Sequence, residues 1–398
     1  MFDYVIVGAG NAGISAVEGI RELDQTGSIL VVGAEDHLPY DRPPLTKQLW
    51  FGKKTVGEIT LHYPEYFKEE GVELARGERV TEIDAAERSI LTDRGRRERY
   101  GKLLLATGGT PRRLQIPGAE SEGVYYYRTL DDYLELSRDP AGKSILVVGG
   151  GFIGAEIAVA LRMHEAHVTM IFPGQLILER IFPEALAGSI QQQYRHRGIR
   201  ILGEDVPISF ERGAERLAVE TREGKHLAFD AIVVGAGIVP ETGLAASAGL
   251  EVGNGIEVNE LLEASAPGIF AAGDNASFPY AALGKRMRIE HWDNAVAQGL
   301  AAGRNMAGAG EWFDYMPYFY SDLFEFGFEA VGEVSASLET YADWQKENET
   351  GVVYYLEDER VRGVMLCNVW GKLDEARALI RAGAHVSASD LHGAVRAA

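Results

Sequence analysis

The chain has 398 residues and an apolar fraction of 46%, which allows two or three domains with real cores and argues against a disordered chain. A formal net charge of −20 excludes nucleic acid, whose phosphates call for Lys and Arg, and disfavours an acidic protein partner. The single cysteine, Cys367, permits no internal disulfide and no cysteine-rich metal centre, so no metal site is expected and a small buried hydrophobe is the simpler reading of it.

The first predicted element is a strand over Phe2–Val7. It begins almost at once, which leaves no room for a signal or transit peptide, and no later run is long enough to span a membrane; a cytoplasmic protein is expected. The strand runs into Gly8-Ala-Gly10-Asn11-Ala12-Gly13 and then a helical pattern. In this G-x-G-x-x-G pattern the first Gly makes a tight turn, the second admits a pyrophosphate to the backbone, and the third lets helix and strand pack closely. The pyrophosphate then rests on the helix N-terminus. A second strand, Ile29-Leu-Val-Val-Gly-Ala34-Glu35, supplies Glu35 for a ribose diol, although Ala34 holds the more usual place for that acid. Returning strands follow at Gly71-Val-Glu-Leu and at Leu103-Leu-Leu-Ala106-Thr107-Gly108.

The plan repeats about 140 residues later, as an internal duplication would. Ile145-Leu-Val-Val-Gly149-Gly-Gly151-Phe152-Ile153-Gly154 is again strand, fingerprint and helix. Gly198-Ile-Arg-Ile and Ile232-Val-Val-Gly-Ala-Gly237 echo the returning strands. The second strand of this half, Val168-Thr-Met-Ile-Phe172-Pro-Gly174, ends without an acid. NAD sites usually carry one and NADP sites put an Arg nearby, but the nearest Arg beyond Phe172 is the distant Arg180, so the choice stays open. A third apolar strand, Gly268-Ile-Phe-Ala-Ala-Gly273-Asp274, is expected to return to the first half. A helix follows over Asp293–Met306, its positive N-terminus available to stabilise negative charge. Beyond it come strands at Glu329–Glu333, Gly351–Leu356 and Val361–Asn368 and a closing helix near Asp374–Ala382. The expected fold is therefore α/β, with two doubly wound dinucleotide-binding domains (1–111 with 239–310, and 112–238) and a C-terminal α+β domain (311–398).

Several separated segments, in order, resemble the flavoprotein family of apoptosis-inducing factor and oxygenase-coupled ferredoxin reductases. They are Leu38-Pro-Tyr40-Asp-Arg42-Pro-Pro-Leu45-Thr-Lys47-Gln-Leu-Trp50, Leu104-Leu-Ala-Thr-Gly108, Ala271-Ala-Gly273-Asp274, Glu290-His291-Trp292-Asp293-Asn294-Ala295, and Pro317-Tyr-Phe-Tyr320-Ser-Asp322. The resemblance covers nearly the whole chain and implies a glutathione-reductase-like architecture with FAD in the first half and NAD(H) or NADP(H) in the second. It implies that Gly8, Gly10, Asn11, Ala12 and Gly13 hold the FAD pyrophosphate and Glu35 its ribose. Arg42, Lys47, Val80, Ala106, Thr107, Gly108, Arg128, Asp274, Trp292 and Tyr320 would complete that site. Gly149, Gly151, Phe152, Ile153, Gly154, Gly237, Glu290 and His291 would line the nicotinamide side. Lys47 and Glu156 would form an ion pair near the flavin, and Phe152 would stack against or gate the nicotinamide. The Pro317 segment would be a loop covering the flavin. Tyr320 stands where these relatives carry Trp, and Gly174 where apoptosis-inducing factor carries a ribose-binding Glu. A dimer through the C-terminal domain is the family's suggestion.

The leading reading is an FAD-dependent NAD(P)H oxidoreductase. It passes electrons to ferredoxin, rubredoxin, a quinone or a small oxidant without a redox disulfide. Disulfide reduction fails because Thr46-Lys47 stands where a C-x-x-x-x-C pair would be needed. An NADH-sensing flavoprotein with slow turnover is the alternative. Lys285, Arg286 and Arg288 offer at most a small basic docking patch on so acidic a molecule, and a solvated loop is the simpler reading.

Overall fold

The computed structural model describes residues 1–395. The chain forms two compact units, each assembled from separated stretches: Met1–Asp41, Thr55–Thr110 and Val239–Tyr318 make one, and Arg42–Lys54, Pro111–Ile238 and the chain from Phe319 onward make the other.

The first unit is built on a parallel sheet of Val72–Arg76, Ile29–Gly33, Phe2–Val7 and Arg97–Leu105, in that order, with Ile269–Ala271 added beside the last. The buried stretches of its central strands, 4–7 and 29–32, are apolar at consecutive positions because both faces are covered; Val5, Ile6, Ile29, Leu30 and Val31 are fully buried. Ser89–Thr92 and Val80–Asp84 extend the long Arg97–Leu105 strand as an antiparallel meander that the glycine pattern does not announce. The helices Asn11–Leu23 and Trp292–Met306 pack against each other at backbone distance. A Cβ on Gly19 would strike the Leu300 carbonyl, and Cβ atoms on Gly299 and Gly303 would strike those of Ala12 and Ala16.

Lys285–Arg288 is a strand in a small sheet of this unit, not a loop. Arg286 donates to the carbonyls of Val258 and Ser277. Arg288 donates to the Asp274 carbonyl at 2.9 Å and pairs with Glu290 at 2.6 Å. Arg286 and Arg288 are thus spent on the fold.

The second unit repeats the plan: Arg200–Leu202, His167–Ile171, Ser144–Val148, Ala231–Val234 and Val124–Tyr126 form a five-stranded parallel sheet. Its meander, Pro207–Arg212, Leu217–Thr221 and His226–Phe229, lays Phe210, Leu217, Val219 and Phe229 on Leu146, Ile171 and Ile232. A second, antiparallel sheet in this unit runs Tyr318–Leu323, Phe326–Gly332, Arg360–Cys367, Thr350–Glu357, Glu339–Lys346. The helix Leu373–Ala382 covers it with Ala376 and Ile380. The segment expected as a loop around Tyr320 is therefore an edge strand. Cys367 is fully buried in this sheet, and desolvation pushes its thiol pKa well up, so it is an inert packing group.

Candidate functional site

The two fingerprints fold alike, bond for bond. Gly8 N–H donates to the carbonyl of Val32 at 2.8 Å, and Gly149 N–H to that of Ile171 at 2.9 Å, so each turn is tied to the end of its second strand. Both glycines have positive φ (114° and 126°), and a Cβ on either would collide with a backbone carbonyl, of Ala106 or Gly235. Gly10 and Gly151 are the opposite case: nothing lies within 4 Å of where their Cβ would be. That open space over the turn is what a pyrophosphate approaching the backbone requires. Each starts a helix, Asn11–Leu23 and Phe152–Met163, with no side chain capping it, which leaves the first-turn N–H groups for an anion.

In the first unit, Asp41 organises the groups around the first fingerprint. Its Oδ1 accepts from Asn11 Nδ2 at 2.6 Å and from Trp292 Nε1 at 2.9 Å, so it joins the N-termini of both helices. Glu35 accepts from the Tyr40 hydroxyl at 2.6 Å, which holds its carboxylate at the end of the second strand. Thr107 donates to the Glu241 carbonyl and accepts from the fully buried Asn275, which also donates to the Leu105 carbonyl. The segment Ala106-Thr107-Gly108 is thus locked beside Asp274 and Asn275. Gln298 accepts from Gly273 N–H at 2.9 Å and anchors the turn before Asp274. Val80 is buried at the start of its strand. His291 lies beside Asp274; desolvation dominates and holds its imidazole at about 4, so it is neutral at neutral pH. Glu290 is engaged by Arg288.

In the second unit, the helix that follows the second fingerprint presents Phe152 and, one turn later, Glu156. The short 3-10 helix Pro43–Thr46 delivers Lys47 onto it. Lys47 Nζ and Glu156 Oε1 are 2.6 Å apart, and each residue is only 5% exposed. The carboxylate has two more donors: Thr46 donates to Oε2 at 2.5 Å and Ser321 to Oε1 at 2.6 Å. The Lys47 ammonium also lies 5.3 Å from the centre of the Tyr320 ring. Phe152 packs edge-on against Phe319 and near Phe328. Arg42 donates to the Arg128 carbonyl at 2.9 Å, which brings those two expected residues together.

Asp41, Thr46, Asn275 and Ser321 were not singled out from the sequence. Each lies one residue or less from a quoted motif, but a lone hydroxyl, amide or carboxylate has no spacing rule that marks it. Among the described residues no cluster of His, Cys, Asp and Glu is arranged to hold a metal, and no helix is long and apolar enough to cross a membrane.

The family model for pyridine nucleotide-disulphide oxidoreductases matches residues 2–299. The chain belongs to this family. Apoptosis-inducing factor 1, mitochondrial, of Dictyostelium discoideum is 35% identical over 95% of the chain and 78% of its own length. The ferredoxin reductase subunit of the 5,5'-dehydrodivanillate O-demethylase of a Sphingobium species is 32% identical over 97% of the chain and 94% of its own length. Among solved structures, the covalent putidaredoxin reductase–putidaredoxin complex superposes with a TM-score of 0.92 at 30% identity, covering 98% of this chain and 95% of that one.

As a member of this pyridine nucleotide oxidoreductase family, the protein is an FAD-dependent NAD(P)H oxidoreductase. Its fold is α/β, with two doubly wound dinucleotide-binding halves. The residues fit two dinucleotides: there are two open glycine cradles and two uncapped helix N-termini, and in the first half Glu35 lies just beyond the second strand.

Proposed function

We propose that the protein takes reducing equivalents from NAD(P)H onto FAD and passes them to a small electron-carrier protein of ferredoxin type, without a redox disulfide. The buried Lys47–Glu156 pair carries this reading. It stands where a disulfide reductase would need its cysteines, and the lone Cys367 is sealed inside a sheet. Rubredoxin, a quinone or a small oxidant are the other acceptors of the same class of reaction.

The first fingerprint, with Glu35, Val80, Thr107, Asp274 and Trp292, is proposed to hold FAD. Arg42, Lys47, Arg128 and Tyr320 are proposed to serve the same cofactor. The second fingerprint, with Phe152, Ile153 and Gly237, is proposed to hold NAD(P)H, with Glu290 and His291 serving the nicotinamide. The flavin supplies the chemistry of accepting a hydride and releasing electrons, and the chain supplies position and field. The Lys47 ammonium favours electron density arriving beside it. Glu156, held by three donors, fixes the place of that buried amine. A neutral His291 adds no charge of its own at neutral pH.

The division into 1–111 with 239–310, 112–238 and 311–398 remains a proposal. In its support, the antiparallel sheet from Tyr318 to Cys367 shares no strand with the parallel sheet around Ser144–Val148. The likeness to a ferredoxin reductase subunit and to a putidaredoxin reductase favours the ferredoxin-type acceptor. The net charge of −20 weighs against a strongly acidic carrier.

The likeness to apoptosis-inducing factor supports the alternative of an NADH-responsive flavoprotein with slow turnover. Anaerobic stopped-flow with NADH and NADPH separates the two. Rapid bleaching of the FAD band, then rapid return of the band on adding an iron–sulfur carrier, supports the reductase. A reduced, long-lived charge-transfer band that no carrier discharges supports sensing. Protein that cannot take up FAD would sink both.

A further inference from the structure

The second strand of the second half, His167–Ile171, ends without an acid at Phe172, and Gly174 follows. A carboxylate is nonetheless present at that place. Glu179 folds back over the loop so that a Cβ on Gly174 would fall inside its carboxylate. Its Oε2 accepts from the backbone N–H groups of Gln175 at 2.7 Å and Leu176 at 3.0 Å.

The loop carrying it is pinned to the fingerprint. Leu178 N–H donates to the Gly150 carbonyl at 2.8 Å, and the Phe172 ring lies 2.8 Å from where a Gly150 Cβ would be. On its other side Glu204 N–H donates to the Gly174 carbonyl at 2.8 Å, and Asp205 N–H to that of Phe172 at 3.3 Å. A carboxylate has about four acceptor positions, and two are used by the loop. Those on Oε1 are left at the end of the second strand, where a dinucleotide's adenosine ribose is read in doubly wound folds.

We propose that Glu179 is the residue that sets cofactor choice: it reads the ribose diol of NADH and repels the 2′-phosphate of NADPH. Gly174 is then not the loss of an acid but the space that lets another carboxylate take its place. Arg180, the nearest candidate for a 2′-phosphate, follows Glu179 directly, and its backbone carbonyl is tied to Ala336 N–H.

The inference rests on placing NAD(P)H in the second half. It is tested by calorimetric titration of the FAD-loaded protein with ADP-ribose and with its 2′-phosphorylated form, neither of which can react. The wild type should prefer ADP-ribose by about 10- to 100-fold, the scale on which a juxtaposed like charge discriminates. Glu179→Gln keeps an acceptor for the Gln175 and Leu176 N–H groups and removes the charge; the preference should fall to within about 3-fold, mainly through tighter binding of the 2′-phosphate. Gly174→Ala should do the same by displacing the carboxylate. Equal binding of both ligands by the wild type overturns the inference and leaves the NAD(P)H site standing, as does an unchanged preference in Glu179→Gln. Failure of the wild type to bind either ligand overturns the placement of the site as well.

Discussion

Glu156 receives an ammonium and two hydroxyls at once, in a place with almost no solvent. A buried ion pair gains little over an apolar pair of the same shape, yet removing one member strands the other charge. Lys47→Met or Glu156→Leu alone should therefore cost about 3–5 kcal/mol in urea unfolding. The double variant Lys47→Met/Glu156→Leu should recover much of that loss while FAD reduction by NADH stays slow. Additive losses would mean that the two charges do not sustain each other. His291 provides a pH test. Its imidazole titrates at about 4 in the native protein, against an ordinary 6.5. Between those values the unfolded chain holds a proton that the native one lacks, so stability rises with pH across this window. The contribution is complete above about 6.5 and is lost as pH falls towards 4, at most on the order of 3 kcal/mol. Ring carbon shifts in an NMR titration should show one histidine with a midpoint near 4. A midpoint near 6.5 for His291 would remove the effect.

The helix pair of the first unit behaves as one element. Asn11–Leu23 begins at the first fingerprint and Trp292–Met306 begins beside Asp41, and the two meet where Gly19, Gly299 and Gly303 leave room for carbonyls. Gly303→Val should force the helices apart and cost about 3 kcal/mol or more, read as a fall in melting temperature, because overpacked backbone contacts cannot relax by a rotamer change. An unchanged melting temperature would show that the interface yields. The fingerprint elements were legible in the sequence because glycine spacing and runs of Val, Ile and Leu are local signals. The helix from Trp292 was legible too, but its partner was not, since Gly299 and Gly303 read only as weak helix formers. The hairpin strand Glu339–Lys346 was missed because ETYADWQK is polar and lies at a sheet edge. Its backbone ladder to Thr350–Glu357, not its side chains, makes it a strand. Lys47 and Glu156 were reached through family resemblance, whereas Thr46 and Ser321 converge on Glu156 from distant positions and leave no periodic trace.

At the scale of the whole molecule, the duplicated plan was visible as two copies of one glycine pattern, but the excursion at Arg42–Lys54 was not. The segment Arg42–Lys54 interrupts the first half in sequence and belongs with the second unit, carrying Lys47 to Glu156. No composition shift marks its ends, because what assigns it is a buried ion pair formed across more than a hundred residues.

The chain passes between the two units five times, at 41/42, 54/55, 110/111, 238/239 and 318/319. During synthesis the first unit's parallel sheet must wait for Ile269–Ala271, and its leading helix for the partner that starts at Trp292. Neither unit is a continuous stretch that a ribosome can finish and leave. Truncations, nicks and domain grafts at the apparent sequence boundaries would therefore damage both units together, and the protein has to be inherited, expressed and engineered as one indivisible piece.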